Sequence, residues 1–326
     1  MSTTRLIRVH ATGGPEVLRW EEASLSPVSP GQARIRHRFA GLNFIDVYHR
    51  TGLYSLPLPF TPGVEGAGEV LEVGEGVSWL KPGDRVAYAG GGPGAYSVER
   101  VMPADRLVTL PPGIDDRTAA AMMLKGMTAQ MLLRQTIRIE RGDTILLHAA
   151  AGGVGLILAQ WAHHLGATVI GTAGSDEKAA LARQHGCDHV IVYTREKFVD
   201  RVKEITGGKG VRVAYDSVGK DTFMGSLDCL QVRGMLVLYG QASGAVPAFD
   251  PLLLAQKGCL YVTRPVLFTY TPTRQTVLDT AGDLFTVVAS GAVKIQPPRA
   301  FPLAEAAEAH RALEGRRTVG STVLEA

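Results

Sequence analysis

The run from His148 to Gly155, HAAAGGVG, contains the spacing Ala150-x-Gly152-x-x-Gly155. Small residues at this spacing let a backbone close on a diphosphate. Without a side chain at 152 the amides can approach phosphate oxygens, and without one at 155 the next helix can pack closely on the preceding strand. Amides of the first helical turn and the helix dipole then face the anion. Alanine stands in the first glycine position of this pattern. We expect Ala151, Gly152, Gly153 and Val154 to hold the pyrophosphate of a dinucleotide. A tight glycine turn of some other α/β protein is the plainer alternative, and the flanking elements discriminate. Ile145-Leu146-Leu147 reads as a strand buried on both faces. After it, Val154, Ile157, Leu158, Trp161 and Leu165 recur at helical spacing, which predicts a helix over 153–165. Strand, glycine turn and helix in that order favour the nucleotide.

Dinucleotide folds often place a carboxylate at the end of the second strand, where it holds a ribose 2′-hydroxyl. Here Gly171-Thr172-Ala173-Gly174-Ser175 occupies that place. Small residues leave room for a 2′-phosphate, Ser175 can donate to it, and Lys178 lies one turn into the next helix as a point charge. Tyr193, at the end of the third strand, can close the pocket with its hydroxyl. These residues favour NADP(H) over NAD(H). Asp176 and Glu177 lie close by and oppose that preference unless they serve only as first-turn acids facing the helix dipole.

A chain of 326 residues with 45% hydrophobic and 20% charged residues can bury a large core and is long enough for two domains. Its net charge is +3 and no Lys/Arg run stands out, so charge gives no support to a nucleic-acid or anionic-membrane partner. The first twenty residues lack a signal-peptide core and no later stretch is apolar enough to span a bilayer; a cytoplasmic protein without membrane association is expected. Cys187, Cys229 and Cys259 show no metal or redox spacing and read as buried small apolar residues.

Residues 1 to about 110 consist of short β-like runs, at 33–44, 68–77, 84–90 and 99–110, broken by glycine and proline with little helical periodicity. A compact barrel-like β domain is expected, followed by a helix through 118–136. After the glycine turn, strands are expected at 167–172, 188–193, 211–218, 234–240 and 258–263, with helices at 176–186, 196–206 and 220–231 between them. Such βα alternation predicts a doubly wound parallel sheet. Helices at 273–290 and 303–315 and a short strand near 292–301 complete the tail.

Several stretches also carry a family resemblance: GPEVL at 14–18, GLNFIDVYHRTGLY at 41–54, PGVEGAGEV at 62–70, KPGDRV at 81–86, LLHAAAGGVG at 146–155, AYDSVG at 214–219 and GCLYVTRP at 258–265. The whole chain resembles the medium-chain dehydrogenase/reductases and, among them, the zinc-free quinone oxidoreductases related to ζ-crystallin, bacterial NADPH:quinone reductases in particular. The resemblance implies an α/β fold with a doubly wound parallel Rossmann sheet plus a β-rich GroES-like barrel domain. It implies a catalytic GroES-like domain over 1–126, an NADP-binding Rossmann domain over 127–266, and a tail over 267–326 returning to the catalytic domain. Asn43 stands where zinc-dependent members carry a cysteine ligand, and Gly63-Val64-Glu65 where they carry Gly-His-Glu. No metal is therefore expected. His37, His49, His148, His163, His164 and His310 do not restore a ligand set and read as surface or satisfied residues.

By the same resemblance, Asn43, Asp46, Tyr48 and Tyr54 line the nicotinamide and substrate region, with Asn43 or Tyr48 able to bond a quinone oxygen. Ordinary aromatic packing is the alternative for the two tyrosines. Lys125 and Thr128 lie near the nicotinamide ribose; Ser217, Gly240, Gln241 and Arg264 follow successive Rossmann strands, and Phe268 covers the nicotinamide. Arg316, or Arg317 beside it, reaches the cofactor phosphate. A homodimer through the strand around Tyr261 is implied too. The expected activity is NADPH-dependent, zinc-independent reduction of small quinones. Two alternatives stand: reduction of an activated C=C bond in an enone or enoyl thioester, and a structural or RNA-binding protein that holds NADPH.

Overall fold

The computed structural model describes residues 2–326, and the chain divides into two compact units. The first comprises residues 1–127, 271–289 and 295–326, and the second residues 128–270 and 290–294. In the first, β1 (Thr3–Val9) and β2 (Leu18–Ser24) form an antiparallel pair. The larger sheet is built around β3 (Gln32–Leu42), whose eleven residues alternate inward and outward over most of their length. The chain then turns into a short helix, α1 (Phe44–Thr51), before β4 (Glu65–Val73), β5 (Arg85–Ala89), β6 (Glu99–Pro103) and β7 (Val108–Thr109). Helix α2 (Asp116–Gln130) follows. Strand β3 pairs antiparallel with β4, and its first half also pairs with β6. Register shifts at Arg34/Ile35 and His37/Phe39 bend it, and Gly68 lacks a Cβ because one there would lie 1.9 Å from Arg36 O.

The second unit is a six-stranded parallel sheet. Its strands are β8 (Thr144–Leu147), β9 (Thr168–Ala173), β10 (His189–Val192), β11 (Val211–Asp216), β12 (Leu230–Leu238) and β13 (Tyr261–Thr263), in spatial order β10-β9-β8-β11-β12-β13. The connecting helices are α3 (Gly153–His164), α4 (Asp176–Gln184), α5 (Phe198–Ile205), α6 (Phe223–Asp228) and α7 (Leu252–Gln256), and α8 (Leu267–Tyr270) follows β13. This is the expected doubly wound order, in which the direction of winding reverses between β8 and β11. One boundary differs from expectation. Leu230 and Gln231 begin β12 rather than ending a helix, because Leu230 pairs with Val211 and packs into the core around Leu146, Ile170 and Leu236.

The tail supplies α9 (Arg274–Ala289), β14 (Arg299–Pro302), α10 (Ala306–Glu314) and β15 (Thr322–Glu325), all in the first unit. Strand β15 pairs antiparallel with the second half of β3, Thr322 opposite Leu42. Leu324, Leu303, Ala306 and Ala309 join the core of Ile35, Val70, Val86 and Tyr96. The last residues therefore brace the strand that leads into Asn43. No helix of the described residues is long and apolar enough to cross a membrane.

Candidate active site

The expected site residues fall into two groups, one on each unit, and each group is described by itself. In the first unit β3 delivers the chain to Asn43, which caps α1 in an extended conformation. The Asp46 carboxylate accepts the Asn43 N–H at Oδ2 (2.9 Å), a reciprocal cap that fixes the first turn, and Gly52 ends the helix with φ 80°. This helix was not expected from the sequence. One turn further on, Tyr48 is buried, and its ring meets that of exposed Tyr54 edge-on at 5.2 Å.

Beneath the cap lies a carboxylate that sequence reasoning passed over. Glu65 is fully buried and accepts three hydrogen bonds: from Leu124 N–H (2.7 Å), Lys125 Nζ (2.8 Å) and Asn43 Nδ2 (2.8 Å). The second amide hydrogen of Asn43 lies toward Gly41 O at 3.4 Å. Asn43, Glu65 and Lys125 thus form one unit with a buried ion pair at its centre. The available signal was an acid in a run of small and apolar residues, Val64-Glu65-Gly66-Ala67-Gly68.

Asp46 starts a second buried chain. Tyr96 O–H donates to its Oδ2 (3.0 Å), His310 Nε2 lies 3.2 Å from the Tyr96 oxygen, and Arg50 lies 3.1 Å from His310 Nδ1. Arg50 also makes a two-pronged pair with Glu314 (2.9 and 2.8 Å). Since a guanidinium only donates, His310 Nδ1 accepts, its Nε2–H donates to Tyr96, and the Tyr96 hydroxyl points at Asp46. Two donors therefore converge on Oδ2, while Oδ1 is buried without a hydrogen-bond partner among the described residues. Burial pushes the Asp46 carboxyl up to about 7 and neighbouring Glu65 adds to the rise; the bonds from Asn43 and Tyr96 and the charge of Lys125 oppose it. When Asp46 is neutral its proton resides on Oδ1. Burial, helped by Arg50, holds His310 down at about 3, so it stays neutral.

On the second unit the glycine turn follows β8. Ala149 takes the left-handed conformation (φ 52°), while Ala150 is buried and donates to Thr172 O (3.0 Å). Gly152 is the N-cap of α3, and Gly153 and Val154 are its first residues. A Cβ on Gly155 would lie 2.4 Å from Ala149 O and 2.7 Å from Ala150 O, which leaves no room for a side chain. A Cβ on Gly152 would meet only Ala149 O, at 3.2 Å. The two glycines thus divide the work: Gly155 permits close packing and Gly152 keeps an open approach to the helix N-terminus.

At the end of β9, Ser175 caps α4 by accepting Lys178 N–H (3.3 Å), and the Tyr193 hydroxyl sits 2.6 Å from where a Cβ of Gly174 would be. Gly174, Ser175, Lys178 and Tyr193 are therefore brought together. Asp176 is bridged by Arg195 through two bonds (2.7 and 2.5 Å), and the guanidinium holds its carboxyl below the usual range. Along the next strand ends, a Cβ on Gly240 would lie 2.7 Å from Ser217 O, Ala242 beyond Gln241 donates to Ser217 O (3.0 Å), and Arg264 donates to Gly240 O (3.2 Å). Ser217, Gly240, Gln241 and Arg264 thus cluster after β11, β12 and β13. Ala151 is buried in the turn, Thr128 lies on α2, and Phe268 is half-buried on α8. Arg316 follows α10 with φ 56° and belongs to the first unit, as do Arg317 and Lys125.

Behind the turn, Asp216 is fully buried. It accepts from Val218 and Gly219 N–H (2.8 and 3.0 Å), Thr222 Oγ1 (2.7 Å) and Ser226 Oγ (2.8 Å). Ser226 in turn lies 3.0 Å from His148 Nε2, and His148 Nδ1 is 3.0 Å from Thr172 Oγ1. This network ties the ends of β8, β9 and β11 together. His37, His148 and His310 are satisfied as expected, whereas His49 is buried with Nδ1 lacking a partner among the described residues. Cys187 and Cys229 are buried, but Cys259 is exposed, because it takes a left-handed turn (φ 56°) leading to the edge strand.

Two family profiles match the chain, "Alcohol dehydrogenase GroES-like domain" over residues 29–112 and "Zinc-binding dehydrogenase" over residues 153–280. Over 319 residues the chain is 53% identical to a quinone oxidoreductase of Pseudomonas aeruginosa, covering 98% of each chain. The chain belongs to the quinone oxidoreductases. Its fold is that of the family: the crystal structure of Escherichia coli quinone oxidoreductase complexed with NADPH superposes with a TM-score of 0.97 at 47% identity, covering 100% of both chains. A 2-haloacrylate reductase of a Burkholderia species is 46% identical, with 97% of each chain covered. The GroES-like match falls within the first unit, and the second profile begins at the helix that follows the glycine turn. Among the described residues no group of three or more His, Cys, Asp or Glu side chains could hold a metal ion.

Proposed function

We propose that this quinone oxidoreductase oxidises NADPH and reduces small quinones, without zinc. Support comes above all from the end of β9, where Asp176, one of the two acids that oppose a 2′-phosphate, is engaged by Arg195, while Ser175, Lys178 and Tyr193 stand around Gly174. The open approach at Gly152 fits the pyrophosphate in the same way. NADPH supplies the hydride when bound. Ala151, Gly152, Gly153 and Val154 hold its pyrophosphate; Ser217, Gly240, Gln241, Arg264 and Phe268 serve its nicotinamide half. Lys125 and Thr128 serve the ribose, and Arg316 a phosphate.

A quinone is electron-poor, so the protein needs to supply position and a polar contact to the developing oxyanion. We assign that contact to Tyr48, since both amide hydrogens of Asn43 are already directed to Glu65 and Gly41. Tyr54, edge-on to Tyr48, flanks the quinone ring. Asp46 fixes the first turn of α1 through the Asn43 amide and thereby sets the direction of Tyr48.

The 46% identity to a 2-haloacrylate reductase favours one second reading, reduction of an activated C=C bond, which also builds negative charge on oxygen and uses the same donor. Initial rates on chelator-treated protein with NADPH, 1,4-benzoquinone and 2-chloroacrylate distinguish them, with NADH as control. Fast benzoquinone reduction with NADPH and little with NADH is expected. Turnover of the acrylate alone would transfer the assignment to the second reading.

We also read the chain as a cytoplasmic homodimer, in keeping with its free cysteines. Strand β13 is the outer strand of its sheet, with Tyr261 and nearby Val232 exposed. Light scattering is expected to give twice the chain mass and Tyr261→Asp to halve it; a monomeric wild type refutes the pairing.

A further inference from the structure

We propose that Glu65 is a positioning residue for the reaction: its carboxylate locks the Asn43 amide and the Lys125 ammonium into one hydrogen-bonded unit. This rests on the reading that the two residues serve NADPH and quinone. Glu65 opens β4 opposite Ala89 of β5 and reaches two different segments of chain from that one position, the start of α1 and the middle of α2. Its Oε1 takes the backbone N–H of Leu124, and its Oε2 takes both the Asn43 amide and the Lys125 ammonium. The fold keeps space for it. A Cβ on Gly41 would lie 2.0 Å from Oε2 and 2.5 Å from Ala120 O.

Acceptor capacity explains why a carboxylate is needed. Three donors from two directions require acceptors at both oxygens, and a glutamine offers one oxygen and one NH2 group. Either orientation of that amide sets donor against donor. The substitution also leaves a buried ammonium without its counter-charge. The ionisable groups that face or sense Glu65 are Lys125, Asp46, Tyr88 and Tyr96. Both tyrosines are pushed up by burial, so Asp46 is the neighbour whose working-range titration Glu65 influences. Removing its charge removes one of the causes that raise Asp46.

The test compares wild type with E65Q, E65D, K125M and E65Q/K125M, measuring kcat, KM, the pH profile of kcat/KM and NADPH affinity by fluorescence titration. In E65Q, kcat/KM is expected to fall by about tenfold or more, and the limb of the profile near pH 7 to move to lower pH, because Asp46 loses one of the causes that raise it. K125M removes a charge that lowers Asp46 and moves the limb the other way, and the double variant is no worse than the poorer single one, because both changes break the same unit. A merely structural role predicts multiplied losses and an unmoved limb, and either result overturns the proposal. Should E65Q fail to fold, E65D retains the charge but withdraws it by one bond. It is expected to lose kcat with the limb near pH 7 in place, and wild-type kcat in E65D overturns the proposal. NADPH titration needs no turnover, so it separates this proposal from the functional reading. If benzoquinone is not reduced, the functional reading falls, and NADPH affinity in E65Q equal to wild type would still sink the role of Glu65.

Discussion

Replacing Gly155 and Gly152 separately by alanine is expected to split folding from cofactor binding. At Gly155 the new methyl group would sit 2.4 Å from Ala149 O and 2.7 Å from Ala150 O, nearly 1 Å inside ordinary carbon–oxygen contact of roughly 3.3 Å. Both obstacles are backbone atoms of a pinned turn. His148 N–H bonds Tyr215 O, Ala150 N–H bonds Thr172 O and Gly152 N–H bonds Ala149 O, at 3.0, 3.0 and 2.9 Å. The turn cannot retreat, so α3 must shift. Overpacking of this kind costs about 1–3 kcal/mol, from which the better helix propensity of alanine subtracts less than about 1 kcal/mol. A net loss of about 1–2 kcal/mol lowers the melting temperature by roughly 2–8 °C for a unit of this size. At Gly152 the methyl group meets one atom at 3.2 Å in a backbone conformation open to alanine (φ −81°), so the melting temperature should stay within about 1–2 °C of wild type. The methyl group nevertheless occupies the phosphate approach, and NADPH affinity should fall by about tenfold or more. Thermal melts with and without NADPH read both effects, because a ligand that binds only the folded state raises the melting temperature by mass action. Gly155→Ala is expected to melt low without cofactor; Gly152→Ala is expected to melt normally and lose the NADPH-induced rise. If Gly155→Ala melts with wild type, or Gly152→Ala keeps the full rise, the division of labour is wrong.

Asp46 makes stability depend on pH. Its folded value of about 7 lies above the ordinary 3.8, so the folded state binds the proton more tightly, and that contribution is lost as pH rises from about 4 to about 7. Asp46→Asn removes the slope; its stability relative to wild type should climb by up to about 4 kcal/mol across this window and then level off. Urea midpoints at pH 5, 6, 7 and 8 check it, and a flat difference refutes it. Lys178→Ala is expected to raise KM for NADPH about tenfold while leaving NADH unchanged, whereas equal changes for both coenzymes would place Lys178 away from the 2′-phosphate. Glu314→Gln strips the counter-charge from the guanidinium of Arg50, whose side chain is 1% exposed. Because Glu314 itself is 33% exposed, the expected loss is about 2 kcal/mol rather than that of a fully buried pair. A urea midpoint indistinguishable from wild type would show that water replaces the carboxylate there.

The nucleotide half was legible because its signals are local. An apolar strand, three small residues at fixed spacing and a periodic helix all lie between Thr144 and His164, and each needs only its chain neighbours to take shape. The pocket of Gly174, Ser175, Lys178 and Tyr193 could be read in the same way, since strand ends place them at one edge whatever the rest of the chain does. Helix α1 escaped notice because eight residues hold little periodicity. Its marks were the caps, Asn43 with Asp46 three residues on and Gly52 at the end. Where Cys259 faces was equally out of reach, since its exposure follows from a left-handed turn at a sheet edge.

What only the tertiary structure decided is the polar interior of the first unit. Glu65 meets Asn43 22 residues away and Lys125 60 residues away, and the chain from Asp46 ends at Glu314 after crossing Tyr96, His310 and Arg50. No spacing in the sequence encodes such partners. A buried charge is tolerated only where distant segments bring its counter-charge and donors together, and here β15 pairing with β3 and α10 packing beside the same core complete the arrangement. The sequence by itself determined the fold class, the glycine turn and the residues gathered at the end of β9; the protonation of Asp46, the anchoring of Lys125 and the commitment of the Asn43 amide to Glu65 exist only once the chain has closed.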